Sequence, residues 1–122
     1  RLMGDIGIVE QRYERVLFGN HQRLDLQPWQ PETKRSFSPP FKFEKDVWYT
    51  MKLEVQSLDS NRVRARGKVW PKGQPEPQAW TIERIDPIGN HKGSPGLYAD
   101  APSRVGGGSE LYYDNIKVYK NK

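Results

Sequence analysis

Three tryptophans and a run of cations carry most of the chemistry that this sequence offers. Between positions 62 and 70 the chain reads Arg62-Val63-Arg64-Ala65-Arg66-Gly67-Lys68-Val69-Trp70. Every second residue is cationic until the series ends on an indole. Trp48 stands in the preceding apolar stretch, and Trp80 follows after a proline-rich loop. Flat indole faces stack on sugar rings, and guanidinium groups pair with anionic groups. The candidate ligand-binding set is therefore Trp48, Trp70, Trp80, Arg64 and Arg66. Its chemistry would be shallow, non-covalent recognition of a glycan. Indoles beside cations also suit single-stranded nucleic acid. That partner is disfavoured here, because Glu54 and Glu83 are expected on or near the same face and the tryptophans gather at one end of it. A purely structural role competes with both. Cross-strand charge pairs contribute about 0.2–1 kcal/mol each, so the cations can simply hold a hairpin together.

Catalytic constellations are weaker. Glycoside hydrolysis needs two carboxylates flanking the scissile bond. Of Glu10, Glu14, Glu110 and Asp114, only Glu110 and Asp114 share an expected strand face, and Glu76 lies between prolines. No tight Glu-x-Asp-x-x-Glu cluster occurs, and the expectation is that the chain is not an enzyme. His21 and His91 each stand alone in a polar turn, without local partners for a metal or a nucleophile. The chain has no cysteine, which excludes disulfides and thiolate sites. Gly106-Gly107-Gly108-Ser109 lacks the lysine and the strand-to-helix setting of a phosphate loop, and is read as a hairpin loop.

The elements that must position these residues are strands. Hydrophobic residues make up 34% of the 122 positions and the mean hydropathy is -0.91, so the core is thin. Such a profile suits strands that bury one face each. Glycines and prolines fall in clusters, as turn punctuation. Strands are predicted over 6–13, 16–18, around Leu24 and Leu26, then over 47–56, 62–70, 79–85, 96–99 and 110–119. Gly19-Asn20 reads as a hairpin turn, and 28–41, 71–77 and 86–95 as loops. In 47–56 the residues Val47, Tyr49, Met51, Leu53 and Val55 share one face. In 62–70 the inward series is Val63, Ala65, Gly67 and Val69. A turn over 57–61 would set Glu54 opposite Arg64, Lys52 opposite Arg66 and Trp48 opposite Trp70. About seven to nine short strands with close turns predict an all-β antiparallel sandwich or barrel, one domain over residues 1–122. The net charge of +5 is read as a solvated surface, since acids are interleaved throughout. No apolar run is long enough for a membrane-spanning helix.

The second half resembles the concanavalin A-like, laminin G-like jelly-roll superfamily. The matching stretches, in order, are Val47-Trp48-Tyr49-Thr50-Met51-Lys52-Leu53-Glu54-Val55, Gly67-Lys68-Val69-Trp70, Gly93-Ser94-Pro95-Gly96-Leu97-Tyr98-Ala99 and Leu111-Tyr112-Tyr113-Asp114-Asn115-Ile116-Lys117-Val118. Residues 68–80 are also similar to segments of large bacterial extracytoplasmic proteins, some of which carry β-propeller repeats. The resemblance covers residues 40–120 and implies a jelly roll, here with fewer strands than complete members have. The opening strands would then be missing or come from another chain. It also implies a place for a structural calcium near the closing strand, with Asp114 as a fitting oxygen ligand. The residues themselves favour a turn or bulge at Asp114-Asn115, with no cofactor.

The leading expectation is a non-catalytic carbohydrate-binding or interaction module of a larger extracytoplasmic bacterial protein. Two others stand beside it. One is a structural subunit that completes its sandwich by pairing edge strands with another chain. The other is a fragment of a glycan-active enzyme. The chain opens on Arg1, which fits a processed chain or part of a longer one.

Overall fold

The computed structural model describes residues 3–9, 14–18, 23–27, 37, 39–44, 46–89, 91–100 and 112–121. Within them the architecture is all-β, with no helix. The strands are β1 (Met3–Val9), β2 (Glu14–Phe18), β3 (Arg23–Gln27), β4 (Tyr49–Ser57), β5 (Val63–Pro71), β6 (Ile82–Asp86) and β7 (Ser94–Asp100). They form two antiparallel sheets, one in the order β3-β2-β1-β7 and one in the order β4-β5-β6.

The three-stranded sheet follows from alternation. Val63, Ala65 and Val69 of β5 point to one side and are buried with Ile82 of β6. Tyr49, Met51, Leu53 and Val55 of β4 pack against the same cluster, as their spacing predicts. Leu26 of β3, only 2% exposed, belongs to that cluster too. It is tied to Phe37 by two backbone hydrogen bonds, of 2.9 and 3.1 Å. Val47, expected on the core face, precedes the strand and is exposed.

The hairpin between β4 and β5 closes differently from the predicted turn. Leu58 N–H donates to the Arg62 carbonyl, and the Asp59 carboxylate accepts from the N–H groups of Asn61 and Arg62 and from Arg62 Nε. This Asx-type turn takes Arg62 out of the strand. The register is Tyr49↔Pro71 through Ser57↔Val63. Hydrogen bonds from Leu58 N–H to Arg62 and from Lys72 N–H to the Trp48 carbonyl bracket the ladder. In an antiparallel pair, bonded positions alternate. Even-numbered residues of β4 therefore direct their backbone groups toward β5, and odd-numbered ones direct theirs away from it.

Two further predictions are corrected. The strand predicted over 79–85 begins only at Ile82, because residues 79–81 belong to the loop that crosses the sheet. The strand predicted over 110–119 is absent from its described part, residues 112–121. There Asn115 adopts φ 55°, and the Asp114 carboxylate accepts from both the backbone and the side-chain N–H of Asn115. A left-handed residue with a local side-chain cap breaks the extended path. Ile116, Val118 and Tyr119 are consequently exposed. The loop readings for Gly19-Asn20, Trp29, His21 and 106–109 lie outside the described residues.

Candidate functional site

The outer face of the three-stranded sheet carries the charge ladder. The observed register sets Lys52 opposite Lys68, Glu54 opposite Arg66, Gln56 opposite Arg64 and Thr50 opposite Trp70. Each partner is thus two residues from the predicted one, and Trp48 does not face Trp70. A slip of two keeps every side chain on its face, so the stripe survives while its pairs change. Glu54 accepts from Arg66 at 2.7 and 2.9 Å and lies 4.0 Å from Arg64. Arg64 donates to Gln56 at 2.5 Å, and Arg66 lies 3.7 Å from Glu83 on β6. Glu54 and Glu83 are on this face, as expected.

The direct Lys52–Lys68 pairing puts like charges across the strands, which is destabilising unless compensated. The proline-rich loop between β5 and β6 supplies the compensation. Its turn at Pro71–Gln74 is closed by a 3.2 Å hydrogen bond and uses Gly73 at φ 91°, a conformation glycine adopts freely. Beyond that turn the Glu76 carboxylate accepts from Lys52 at 3.0 Å and from Lys68 at 3.1 Å. Those two hydrogen bonds hold its carboxyl below the ordinary range. The Lys68 side chain is only 8% exposed and also donates to the Pro77 carbonyl. A buried ammonium needs such partners. Trp80 completes the arrangement. Arg66, Lys68 and Lys52 lie 4.3, 4.9 and 5.9 Å from its ring centre. These are cation–π distances. Trp80 therefore serves the loop, and the cations of the ladder are matched by Glu54, Glu76 and Glu83. Among the described residues, Arg64 Nε is the buried side-chain nitrogen without a hydrogen-bond partner.

The other two tryptophans sit elsewhere. Trp48 is exposed at the entry to β4, with Lys72 Nζ 5.3 Å from its ring centre. Trp70 lines an open cleft of about 390 Å³ together with Phe41, Lys42, Glu44, Val47 and Tyr49. Tyr49 is fixed there from two sides. Phe41 and Phe43 meet it edge-on at 6.4 and 6.3 Å, and its hydroxyl accepts from Glu44 N–H at 2.8 Å. The five residues predicted as one site thus fall into two groups. Trp80, Arg64 and Arg66 belong to the ladder, whereas Trp70 lines the cleft and Trp48 adjoins two of its lining residues in sequence. Sequence reasoning passed over Phe41, Phe43, Lys42 and Glu44. Their alternation just after Pro39-Pro40 was the available signal, but the prolines marked the stretch as loop.

The remaining candidates are modest. His91 is exposed, with Nδ1 2.8 Å from Ser57 Oγ. Asp114 is held by Asn115 and lies 4.0 Å from Lys72. Among the described residues no group of three or more His, Cys, Asp or Glu side chains is placed to hold a metal ion, and no helix is long and apolar enough to cross a membrane. Glu110 lies outside the described residues. Comparison with known protein families, curated proteins and solved structures gives no match.

Proposed function

We propose that this chain is a non-catalytic carbohydrate-binding module, with its site in the aromatic cleft beside Trp70. The observation that carries the reading is the cleft itself. Phe41, Tyr49 and Trp70 bring aromatic surface to one open concavity, while Lys42 and Glu44 supply a cation and an acceptor at the same place. Sugar rings present apolar C–H faces to aromatics and hydroxyls to charged groups, so the two requirements meet there. Trp48, exposed and next in sequence to the lining residues Val47 and Tyr49, is a second aromatic near the cleft's entrance strand. The non-catalytic half of the reading draws on the carboxylates. Glu54 and Glu76 are matched to cations. Glu76 is held below its ordinary range, the reverse of what a general acid requires.

The wider setting is part of the same proposal. The two sheets pack face to face through Leu26 as a concanavalin A-like sandwich, in a larger extracytoplasmic bacterial protein. The order of its sequence motifs supports that assignment.

A glycan panel probed with the wild-type chain, Trp70→Ala and Trp80→Ala tests the site. Neutral or acidic glycans should bind the wild type and lose at least about tenfold in affinity with Trp70→Ala, since a lost stacking contact of about 1.4 kcal/mol is tenfold. Trp80→Ala should weaken stability more than binding. A panel with no response, or a loss on Trp80→Ala alone, would overturn the cleft reading.

A further inference from the structure

The outer edge of β4 carries backbone groups that β5 does not use. Tyr49, Met51, Leu53, Val55 and Ser57 direct their N–H and C=O outward, by the alternation set out above. Val55 shows the direction, because its carbonyl accepts from Asn121 Nδ2 at 2.5 Å. Among the described residues, no backbone–backbone hydrogen bond reaches these five from outside the sheet. An edge of this kind is a template for another strand.

We propose that this edge is an interface for a second copy of the chain, paired antiparallel about a two-fold axis at Leu53. The sequence along the edge is self-complementary in that register. Leu53 meets Leu53 of the second copy, Met51 meets its Val55 and Tyr49 meets its Ser57. All are odd positions, so every pair exchanges hydrogen bonds. On the outer face, Lys52 meets Glu54 of the second copy, and Glu54 meets its Lys52. Opposite charges directly across a strand pair are favourable. Sliding the register by two residues either way would set Lys52 against Lys52 or Glu54 against Glu54. Charge therefore selects the central register, and an isologous pairing closes on itself as a dimer.

The segment 112–121 guards this edge. Asp114 lies 4.0 Å from Lys72, which follows β5 and bonds to Trp48, and Asn121 reaches Val55 near the far end of β4. The segment thus runs beside the strand while Ile116, Val118 and Tyr119 remain 60–78% exposed.

Sedimentation equilibrium of the full chain from micromolar to millimolar concentration, with amide hydrogen exchange followed by NMR, tests the pairing. A dimer should form as concentration rises. The amides of Tyr49, Met51, Leu53 and Val55 should gain at least about tenfold protection, while those of Thr50, Lys52 and Glu54 stay unchanged. Asn121→Ala should tighten association about fivefold by removing one guarding hydrogen bond. Val55→Pro should abolish it by removing an outward N–H, and it also trims a side chain that packs on the core. The exchange data on the wild type decide the matter if that variant fails to fold. Monomers throughout for both wild type and Asn121→Ala would overturn the proposal. So would a dimer without concentration-dependent protection at the four outward amides. Neither result bears on the aromatic cleft, which the glycan panel tests separately.

Discussion

Gly89 illustrates how a single position can be fixed by packing alone. Its N–H donates to the Asn61 carbonyl at 2.7 Å, which brings the chain after β6 onto the start of β5. A Cβ at this position would stand 2.8 Å from the Val63 backbone nitrogen and closer still to the Val63 side chain, which is fully buried. Gly89→Ala should therefore destabilise the fold by about 1–3 kcal/mol, the usual cost of overpacking, measured as a lower urea midpoint at unchanged slope. Asp59 makes a prediction in pH. Hydrogen bonds from the backbone of Arg62 and Asn61, and then from the Arg62 side chain, lower its carboxyl from 3.8 to about 2. A depressed folded value means that the unfolded chain binds the proton more tightly. The contribution is present above pH 3.8 and is lost as pH falls through about 2. NMR titration of the Asp59 carboxyl should give a midpoint near 2, and Asp59→Asn should remove this part of the acid dependence. A midpoint near 3.8 would mean that the turn is open in solution.

At the scale of elements, the β4–β5 hairpin was legible and its register was not. Alternation of Tyr49, Met51, Leu53 and Val55 against Val63, Ala65 and Val69 is dictated by burial, so the inward faces could be read directly. Register depends on where the turn closes. The Asp59 side chain moved that point, and partners shifted by two without any change of face. Glu76 shows a further limit, because no local pattern reveals that a loop glutamate will sit between two cross-strand lysines. Glu76→Gln should lower stability by leaving Lys52 and Lys68 opposed. The additional change Lys68→Met should recover part of the loss, since it removes the buried charge that Glu76 compensates. Thermal melts of the single and double variants make the comparison. No recovery would mean that Glu76 acts through the loop backbone instead. The segment 112–121 failed as a strand for a comparable reason. Ile116 and Val118 have the spacing of a strand, but the left-handed Asn115 and the Asp114 cap outweigh it at the point of entry.

For the whole molecule, the question is whether the two sheets form one cooperative unit. The described side chains give one residue a special position. Leu26 comes from β3 in the four-stranded sheet, yet it is buried among Val63, Ala65, Val69 and Ile82 of the three-stranded sheet. Its backbone is anchored through both hydrogen bonds to Phe37, so the side chain has little freedom to withdraw. A thin core makes each such contact a large share of the total, since a domain of this size keeps only about 5–15 kcal/mol of net stability. Removing the Leu26 side chain beyond Cβ would leave a cavity against Val63 and Ile82, at a cost of about 2–5 kcal/mol. If the sheets fold as one unit, Leu26→Ala lowers a single transition that is seen alike by far-ultraviolet dichroism and by tryptophan fluorescence. Three of the four tryptophans, Trp48, Trp70 and Trp80, lie in or beside β4, β5 and the loop before β6, so in a Trp29→Phe background the fluorescence reports on the second sheet. Hydrogen exchange supplies the residue-level control. Amides of β1 and β2 should lose protection together with those of β5 in the variant. Loss confined to β1–β3, with the tryptophan transition unmoved, would instead show two independently folding sheets and would remove the sandwich from the proposal.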